Sequence, residues 1–280
     1  MASDITSLLE GWDFKPDEIT VRSITGEDGK EKLQLRIDLG LMQLEIDGRP
    51  DGKQIHGFES CLEWHRHQQE EHDSANPDGA PYALDSEDCA ELMREGVQYY
   101  HRYISFWHTS RYELCARDTK RNLKLFAFVR EHAKYDRDKL QFDQWRPYVT
   151  MMHARAVGTP LVELQQWDAA IGAIDAAIRG IKQFLADYGQ EEQADKMGEL
   201  AFLRRWRKEV AKAASSDKDK PVIAGLADED TSEEDPVERV QAELAAAVEE
   251  ERYEDAARLR DELRRLEEPP PPTSMGGGPA

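Results

Sequence analysis

Residues 31–46 alternate between apolar and polar side chains, and this alternation predicts two β-strands. A period of two is typical of a sheet with one buried face. The parity of the alternation changes near Gly40, where a tight turn or a bulge would keep both apolar sets on the same face. The two apolar sets are Leu33, Leu35, Ile37 and Leu39, then Met42, Leu44 and Ile46.

A looser apolar pattern at residues 19–24 predicts a third strand ahead of these two. Gly26 and Gly29 frame the turn between this strand and the next, because glycine adopts the backbone conformations that tight turns require. The expected unit is therefore a three-stranded antiparallel meander. It is expected to end at the turns Asp47–Gly48 and Asp51–Gly52.

Helical periodicity replaces the alternation after the meander. One helix is expected over residues 57–72, and the proline- and glycine-bearing residues 76–81 break the chain behind it. These patterns place an α+β unit at residues 1–80. Residues 81–213 are predicted to form a helical domain, in which several helices are joined by short polar segments.

One stretch of the helical domain resembles a tetratricopeptide repeat, in which small residues at set offsets let two helices touch closely. Pro160 departs from that pattern, because a proline inside a helix is expected to kink it. An ordinary helical bundle has the same spacing, so a repeat array and a bundle both stay open. The residues at the matching offsets are Gly158, Leu161, Trp167, Ala170, Ile174 and Ala177.

The last part of the chain divides into a linker, a helical segment and a tail. Residues 214–235 are polar and then acidic, with few apolar side chains to offset the entropy of ordering, so they are predicted to be a linker. Residues 269–280 begin with four prolines and end in glycines, which predicts a disordered tail. The predicted fold class is α+β, mostly α.

Residues 236–268 carry the pattern of an amphipathic helical hairpin. Asp235 and Pro236 form a strong helix start, because an aspartate accepts from the first free amides and proline suits the first helical position. One apolar stripe ends at Val248, and a second begins at Tyr253. The step from Val248 to Ala256 is out of phase by about 80° on a straight helix. A reversal between them would let the two stripes face each other. A single long charged helix is the alternative.

The segment Tyr253-Glu-Asp-Ala-Ala-Arg-Leu-Arg-Asp-Glu-Leu263 resembles the UVR motif. That motif occurs in the B and C subunits of the bacterial excision nuclease, in activators of protein arginine kinase and in some Clp-type ATPases. The resemblance implies a two-helix hairpin that pairs with a similar hairpin or with a partner domain, and it implies no nuclease activity. The predicted partner-binding residues are Val240, Leu244, Val248, Tyr253, Ala256, Ala257, Leu259, Arg260, Asp261 and Leu263.

The number of large apolar side chains in this segment independently favours docking. Ordering residues 236–268 costs on the order of 50 kcal/mol. The five or six large apolar side chains present offset about a third of that, at about 1.5–3 kcal/mol each. Two isolated helices of this composition are expected to have only marginal stability. Another chain, or a second copy of this one, is therefore expected to cover the apolar strip.

Net charge, cysteine content and hydropathy indicate which binding partners and which location to expect. The net charge of -20 argues against direct nucleic-acid binding, since that affinity rests on lysine and arginine. One local exception is the candidate basic patch around Trp206, which could instead contact an acidic partner or the chain's own acidic linker. The three cysteines form no CxxC pair, and no apolar run is long enough for a membrane span, so a cytoplasmic location is expected. The patch consists of Arg204, Arg205, Arg207 and Lys208.

Two sets of residues are candidates for chemical sites, and the spacing of neither set predicts one. Histidines and a cysteine at helical spacing in residues 57–72 would point to different faces, whereas a metal needs three or four converging ligands. The aspartates near the strand ends fit Asp-Gly turn chemistry better than acid–base catalysis. No catalytic residue, metal site or cofactor is predicted. The two sets are Cys61, His65, His67, Glu71 and His72, and Asp38, Asp47 and Asp51.

These observations predict a non-enzymatic adaptor that docks a partner protein through its C-terminal hairpin. The partner is expected to be another protein, which could be another UVR-type hairpin or a second copy of the chain. Two settings stay open, nucleotide-excision repair and protein quality control with a protein arginine kinase or a Clp ATPase. A different alternative is an enzyme in the N-terminal half.

Overall fold

The computed structural model describes residues 4–215, which belong to the first of two units, Met1–Ala224. A small antiparallel sheet comes first and helices follow, which confirms the predicted α+β, mostly α class for this part of the chain. The predicted C-terminal hairpin, the tail and nearly all of the linker lie outside the described residues. The elements are α1 (Thr6–Leu9), β1 (Val21–Thr25), β2 (Glu31–Ile37), β3 (Gly40–Glu45), α2 (Cys61–Ala75), α3 (Ser86–His108), α4 (Tyr112–His132), α5 (Asp136–Asp143), α6 (Arg146–Glu163), α7 (Trp167–Asp187), a 3₁₀ turn (Glu191–Asp195) and α8 (Gly198–Ser215).

The sheet has the predicted order, with β2 between β1 and β3 and both pairings antiparallel. The parity change at Gly40 is a tight turn, because Ile37 pairs with Gly40 and Leu33 lies opposite Leu44. Leu33 and Leu44 thus share one face and pack on α3. Leu39 was predicted on this face, and that prediction is wrong. It sits at the tip of the turn, outside the strand pairing, and is 90% exposed.

The opposite face of the sheet is also partly covered, which the alternation did not predict. Gln34 is buried in the central strand, where it accepts from Arg22 Nε at 2.8 Å and donates to Gln43 at 3.0 Å. The guanidinium of Arg22 lies 4.0 Å from the ring centroid of Trp12 and donates to the carbonyl of Leu8. The N-terminal segment therefore covers this face, and cross-strand hydrogen bonds satisfy the buried polar groups.

The helix predicted over residues 57–72 runs from Cys61 to Ala75, three to four residues later than expected. Ser60 caps it by accepting from the amide of Glu63. The first two helical amides, of Cys61 and Leu62, donate to the buried carboxylate of Glu95 in α3, at 2.7 and 3.2 Å. A carboxylate at a helix N-terminus satisfies free amides and complements the helix dipole, so Glu95 fixes α2 against α3.

Helices α3 and α4 form an antiparallel pair tied by buried polar contacts. Arg102 donates to both carboxylate oxygens of Asp118, at 2.6 and 3.0 Å, and each of the two residues is only 1% exposed. The remaining Nη of Arg102 donates to the carbonyls of Glu45 and Gly48, at 3.0 and 2.8 Å. One guanidinium therefore joins the helix pair to the end of the sheet.

Helices α6, α7 and α8 enclose a separate apolar cluster. Arg146 near the start of α6 lies 2.7 Å from Asp187 at the end of α7, so these two helices are antiparallel. Pro160 lies inside α6, and the helix continues to Glu163. Gly158 lies against the buried ring of Trp206 in α8. A close helix contact at Gly158 is thus present, while the interpretation as a tetratricopeptide repeat stays a prediction.

Candidate binding surfaces

The predicted partner-binding residues lie beyond residue 215, outside the part of the chain that the structure describes. They are Val240, Leu244, Val248, Tyr253, Ala256, Ala257, Leu259, Arg260, Asp261 and Leu263. Their arrangement stays a prediction from the sequence. The remaining candidates, the basic patch and the sets of histidines and aspartates, all lie in described residues.

The basic patch on α8 is partly neutralised by carboxylates of neighbouring elements. Arg207 donates to both oxygens of Asp175, at 2.5 and 3.1 Å, and these bonds hold the pKa of Asp175 below its ordinary value. Arg204 lies 2.8 Å from Asp195. Arg205 and Lys208 remain exposed. Two of the four cations therefore already face carboxylates, which leaves little positive surface for a phosphate backbone.

The histidines and the cysteine of α2 divide between the interior and the surface. Cys61 and His65 are buried, and His65 Nδ1 lies 2.9 Å from the hydroxyl of Tyr82. His67 stands on the surface, with its Nε2 3.4 Å from Glu71. Within residues 4–215, no three His, Cys, Asp or Glu side chains are grouped so that they could hold a metal ion.

The aspartates near the strand ends belong to turns and ion pairs. Gly48 and Gly52 have positive φ angles of 63° and 71°, which confirms the turn interpretation at both Asp-Gly pairs. Asp47 lies 2.8 Å from Arg117, and Asp51 lies 3.2 Å from Arg49. The third aspartate, Asp38, lies in the turn between β2 and β3.

The three cysteines are expected to be unreactive in the folded protein. Cys61, Cys89 and Cys115 are free and buried, and burial raises the pKa of each thiol to about 12. Because only the thiolate attacks, we expect no rapid reaction with Ellman's reagent at about pH 8. Three thiols should react once guanidinium unfolds the chain. A native thiol that reacts as fast as the unfolded ones would contradict the burial.

An apolar groove of about 430 Å³ lies between α3, α4 and the start of α6, and we call it the aromatic groove. Its rim is formed by Trp145, which is 55% exposed, with Tyr100 and Val97. Such exposed apolar surface on a folded domain is typical of a binding site. The groove is lined by Met93, Gly96, Val97, Tyr100, His101, Tyr103, Asn122, Phe126, Trp145, Tyr148 and Val149.

The sequence patterns did not predict the aromatic groove. Tyr103 and Tyr148 lie on the apolar faces of two separate helices, α3 and α6. Nothing in the spacing showed that those faces meet, since the two residues are far apart along the chain. The one available signal is the density of aromatic residues, with Tyr99, Tyr100 and Tyr103 in one stretch and Trp145 and Tyr148 in another.

Two further findings concern the hydropathy of the described helices and the similarity of the chain to known proteins. None of the helices between residues 4 and 215 combines the length and hydropathy needed to cross a bilayer. Residues 234–268 match the family model described as the UvrB/uvrC motif, which confirms the motif predicted there. Motifs of this family generally mediate protein–protein interaction. No curated protein and no solved structure matches the chain.

Proposed function

We propose that this protein is a non-enzymatic adaptor that docks a partner protein through residues 236–268. The observation that carries the proposal is the match of residues 234–268 to the UvrB/uvrC motif. We place the adaptor in nucleotide-excision repair or a related bacterial regulatory assembly. The alternative setting is protein quality control, with a protein arginine kinase or a Clp ATPase as partner.

The composition of the motif supports a role in docking. Tyr253, Leu259 and Leu263 are large apolar residues in a segment otherwise rich in charge. Burying each such side chain contributes about 1.5–3 kcal/mol, which is too little in total to hold two isolated helices closed. A partner surface that covers the same residues supplies the missing burial.

The state of the candidate catalytic groups supports a role without catalysis for residues 1–213. Asp47 and Asp51 face Arg117 and Arg49, and the histidine His65 is buried against Tyr82. Burial lowers the pKa of His65, which keeps its ring neutral near pH 7. These groups have structural partners, and the adaptor proposal assigns them no reaction.

The test is affinity capture from the native cytoplasm with full-length protein carrying Tyr253→Asp. A carboxylate buried in an apolar contact costs more than 1.4 kcal/mol, so recovery of the partner should fall about tenfold or more. The matched control is Gln241→Asp, which adds the same charge at a position outside the predicted apolar stripes. The control should retain recovery within about twofold. Quantitative mass spectrometry of the captured proteins measures both effects.

The identity of the captured protein separates the two settings. A subunit of the excision nuclease supports the repair setting, and a kinase or an ATPase with its own hairpin supports quality control. Equal recovery of every captured protein by wild type and Tyr253→Asp removes the hairpin as the docking element. Circular dichroism of both variants checks that the helical content of the body is unchanged.

A further inference from the structure

We propose that His65 and Tyr82 form a pH-sensitive latch, which holds the connection between α2 and α3 closed at neutral pH and releases it when His65 is protonated. The latch is the contact between these two side chains. The proposal rests on described residues and does not depend on the C-terminal motif. Three observations support it: the exposure of the connection, the burial of His65 and the surroundings of the Tyr82 ring.

The connection between α2 and α3 depends on one side chain for its contact with the body. Residues 76–81 are exposed, and so is Ala83, whereas Tyr82 between them is partly buried. Leu84, at the end of the connection, is held separately, because its amide donates to the carbonyl of His132 in α4 at 2.8 Å. Release of Tyr82 therefore frees the exposed stretch while Leu84 stays in place.

The bond of the latch requires a neutral His65. This residue is 5% exposed, and its Nδ1 lies 2.9 Å from the hydroxyl of Tyr82. Burial raises the pKa of Tyr82 to about 12, so the hydroxyl stays protonated and donates to Nδ1 of the neutral ring. A protonated ring carries hydrogens on both nitrogens, so Nδ1 no longer accepts. Protonation thus breaks the bond and leaves a buried charge, which is costly until water reaches the ring.

Charged groups of three elements surround the latch. Burial is the largest influence on His65 and lowers its pKa, while carboxylates of α3 and of its cap act in the opposite direction. The Tyr82 ring also meets two further histidines edge to face, His72 in α2 and His132 in α4, each with ring centroids 5.9 Å apart. The carboxylates are Asp85, Asp88, Glu91 and Glu95 towards His65, Asp73 beside His72, and Glu131 beside His132.

The direction of the pH dependence follows from the burial of His65. In the closed latch its pKa lies below the ordinary value of 6.5, and after release the ring is in water and regains that value. The open state therefore binds a proton more readily, so the latch loses stability as the pH falls below about 6.5. Release uncovers Phe128 of α4, whose ring centroid lies 6.5 Å from that of Tyr82. An apolar surface thus becomes accessible at mildly acidic pH.

The experiment measures hydrogen exchange of the Tyr82 amide by NMR, on the full-length protein at about pH 7.5 and about pH 5.5. Each exchange rate is divided by the intrinsic rate at the same pH, which gives the opening constant of the connection. We expect this constant to rise about 3–10-fold at the lower pH, since uptake of one proton allows at most about a tenfold rise per pH unit. The ring signal of His65 should titrate with a midpoint below 6.5.

Two variants assign the response to the latch. In His65→Asn the amide oxygen takes the place of Nδ1, accepts from Tyr82 and does not titrate, so the opening constant should be equal at both pH values. His67→Asn is the matched control, because it makes the same exchange at a ring on the surface of the same helix. It should keep the wild-type rise. Circular dichroism at both pH values checks that the variants are folded.

Four results overturn the proposal. The first is a wild-type opening constant that is equal at both pH values. The second is a rise that persists in His65→Asn, which would assign the response to His72, His132 or another group. The third is loss of the rise in His67→Asn. The fourth is a His65 midpoint at or above 6.5, which contradicts the burial and is measured on the wild type, so it decides the matter even if His65→Asn does not fold.

Discussion

We expect Asp118→Ala to lower the free energy of unfolding by about 3–5 kcal/mol, the usual cost of leaving one partner of a buried ion pair without the other. The carboxylate of Asp118 faces the guanidinium of Arg102 through two hydrogen bonds, and both residues are 1% exposed. Alanine would leave a buried cation with only the carbonyls of Glu45 and Gly48 as acceptors. The α3–α4 pair would lose both hydrogen bonds between Arg102 and Asp118.

Chemical denaturation and thermal melting measure this effect. A change of this size corresponds to a fall in Tm of roughly 6–20 °C for a domain of this length. The control is Asp175→Ala, which removes a similar two-bond pair with Arg207 on the surface and should cost about 0–1 kcal/mol. Equal costs for the two variants would contradict the burial of Arg102. The double variant Arg102→Met with Asp118→Leu should recover much of the loss, because it removes both charges together.

We expect Trp206→Ala to cost about 3–5 kcal/mol, because it opens a cavity among α6, α7 and α8. Trp206 is 2% exposed and belongs to the apolar cluster of these three helices. Its ring fills the space above Gly158, where an added Cβ would lie 2.6 Å from Trp206 Cη2. A shift in the denaturation midpoint with an unchanged m-value measures the loss.

A double-mutant cycle tests the contact between the two residues. Gly158→Ala should cost about 1–3 kcal/mol in the wild-type background, since the methyl group overpacks the ring. In the Trp206→Leu background the same change should become neutral or stabilising, because alanine is the better helix former. Gly172→Ala is the control, since a Cβ at Gly172 in α7 meets nothing within 4 Å. A cost of Gly158→Ala that is the same in both backgrounds would show that the ring is not its cause.

Local patterns in the sequence predicted the elements that depend on local chemistry. The alternation over residues 31–46 and the glycine at its parity change predicted the two strands and a tight turn or bulge near Gly40, and the structure has a tight turn between Ile37 and Gly40. Gly158 was identified as a site of close helix contact, because only glycine or another small residue permits such an approach. Leu39 was assigned to the wrong environment, since alternation alone does not show where a strand ends.

Features that join distant residues could not be predicted from the sequence. The pair Arg102–Asp118 joins two helices, and its link to Glu45 spans the boundary that was expected near residue 80. The aromatic groove combines residues of α3 and α6, such as Tyr103 and Tyr148. Each residue has an ordinary local pattern, and its role depends on a tertiary contact that local periodicity does not contain.

Glu95 gives helix α2 a dependence on the rest of the domain. Its carboxylate accepts from the amides of Cys61 and Leu62, which lie 34 and 33 positions away along the chain. It also pairs with Arg121 of α4. Local opening of α3 therefore removes the acceptor of these two amides. Hydrogen exchange of the Cys61 and Leu62 amides is then expected to follow the opening of α3. We therefore expect helices α2, α3 and α4 to unfold as one cooperative unit.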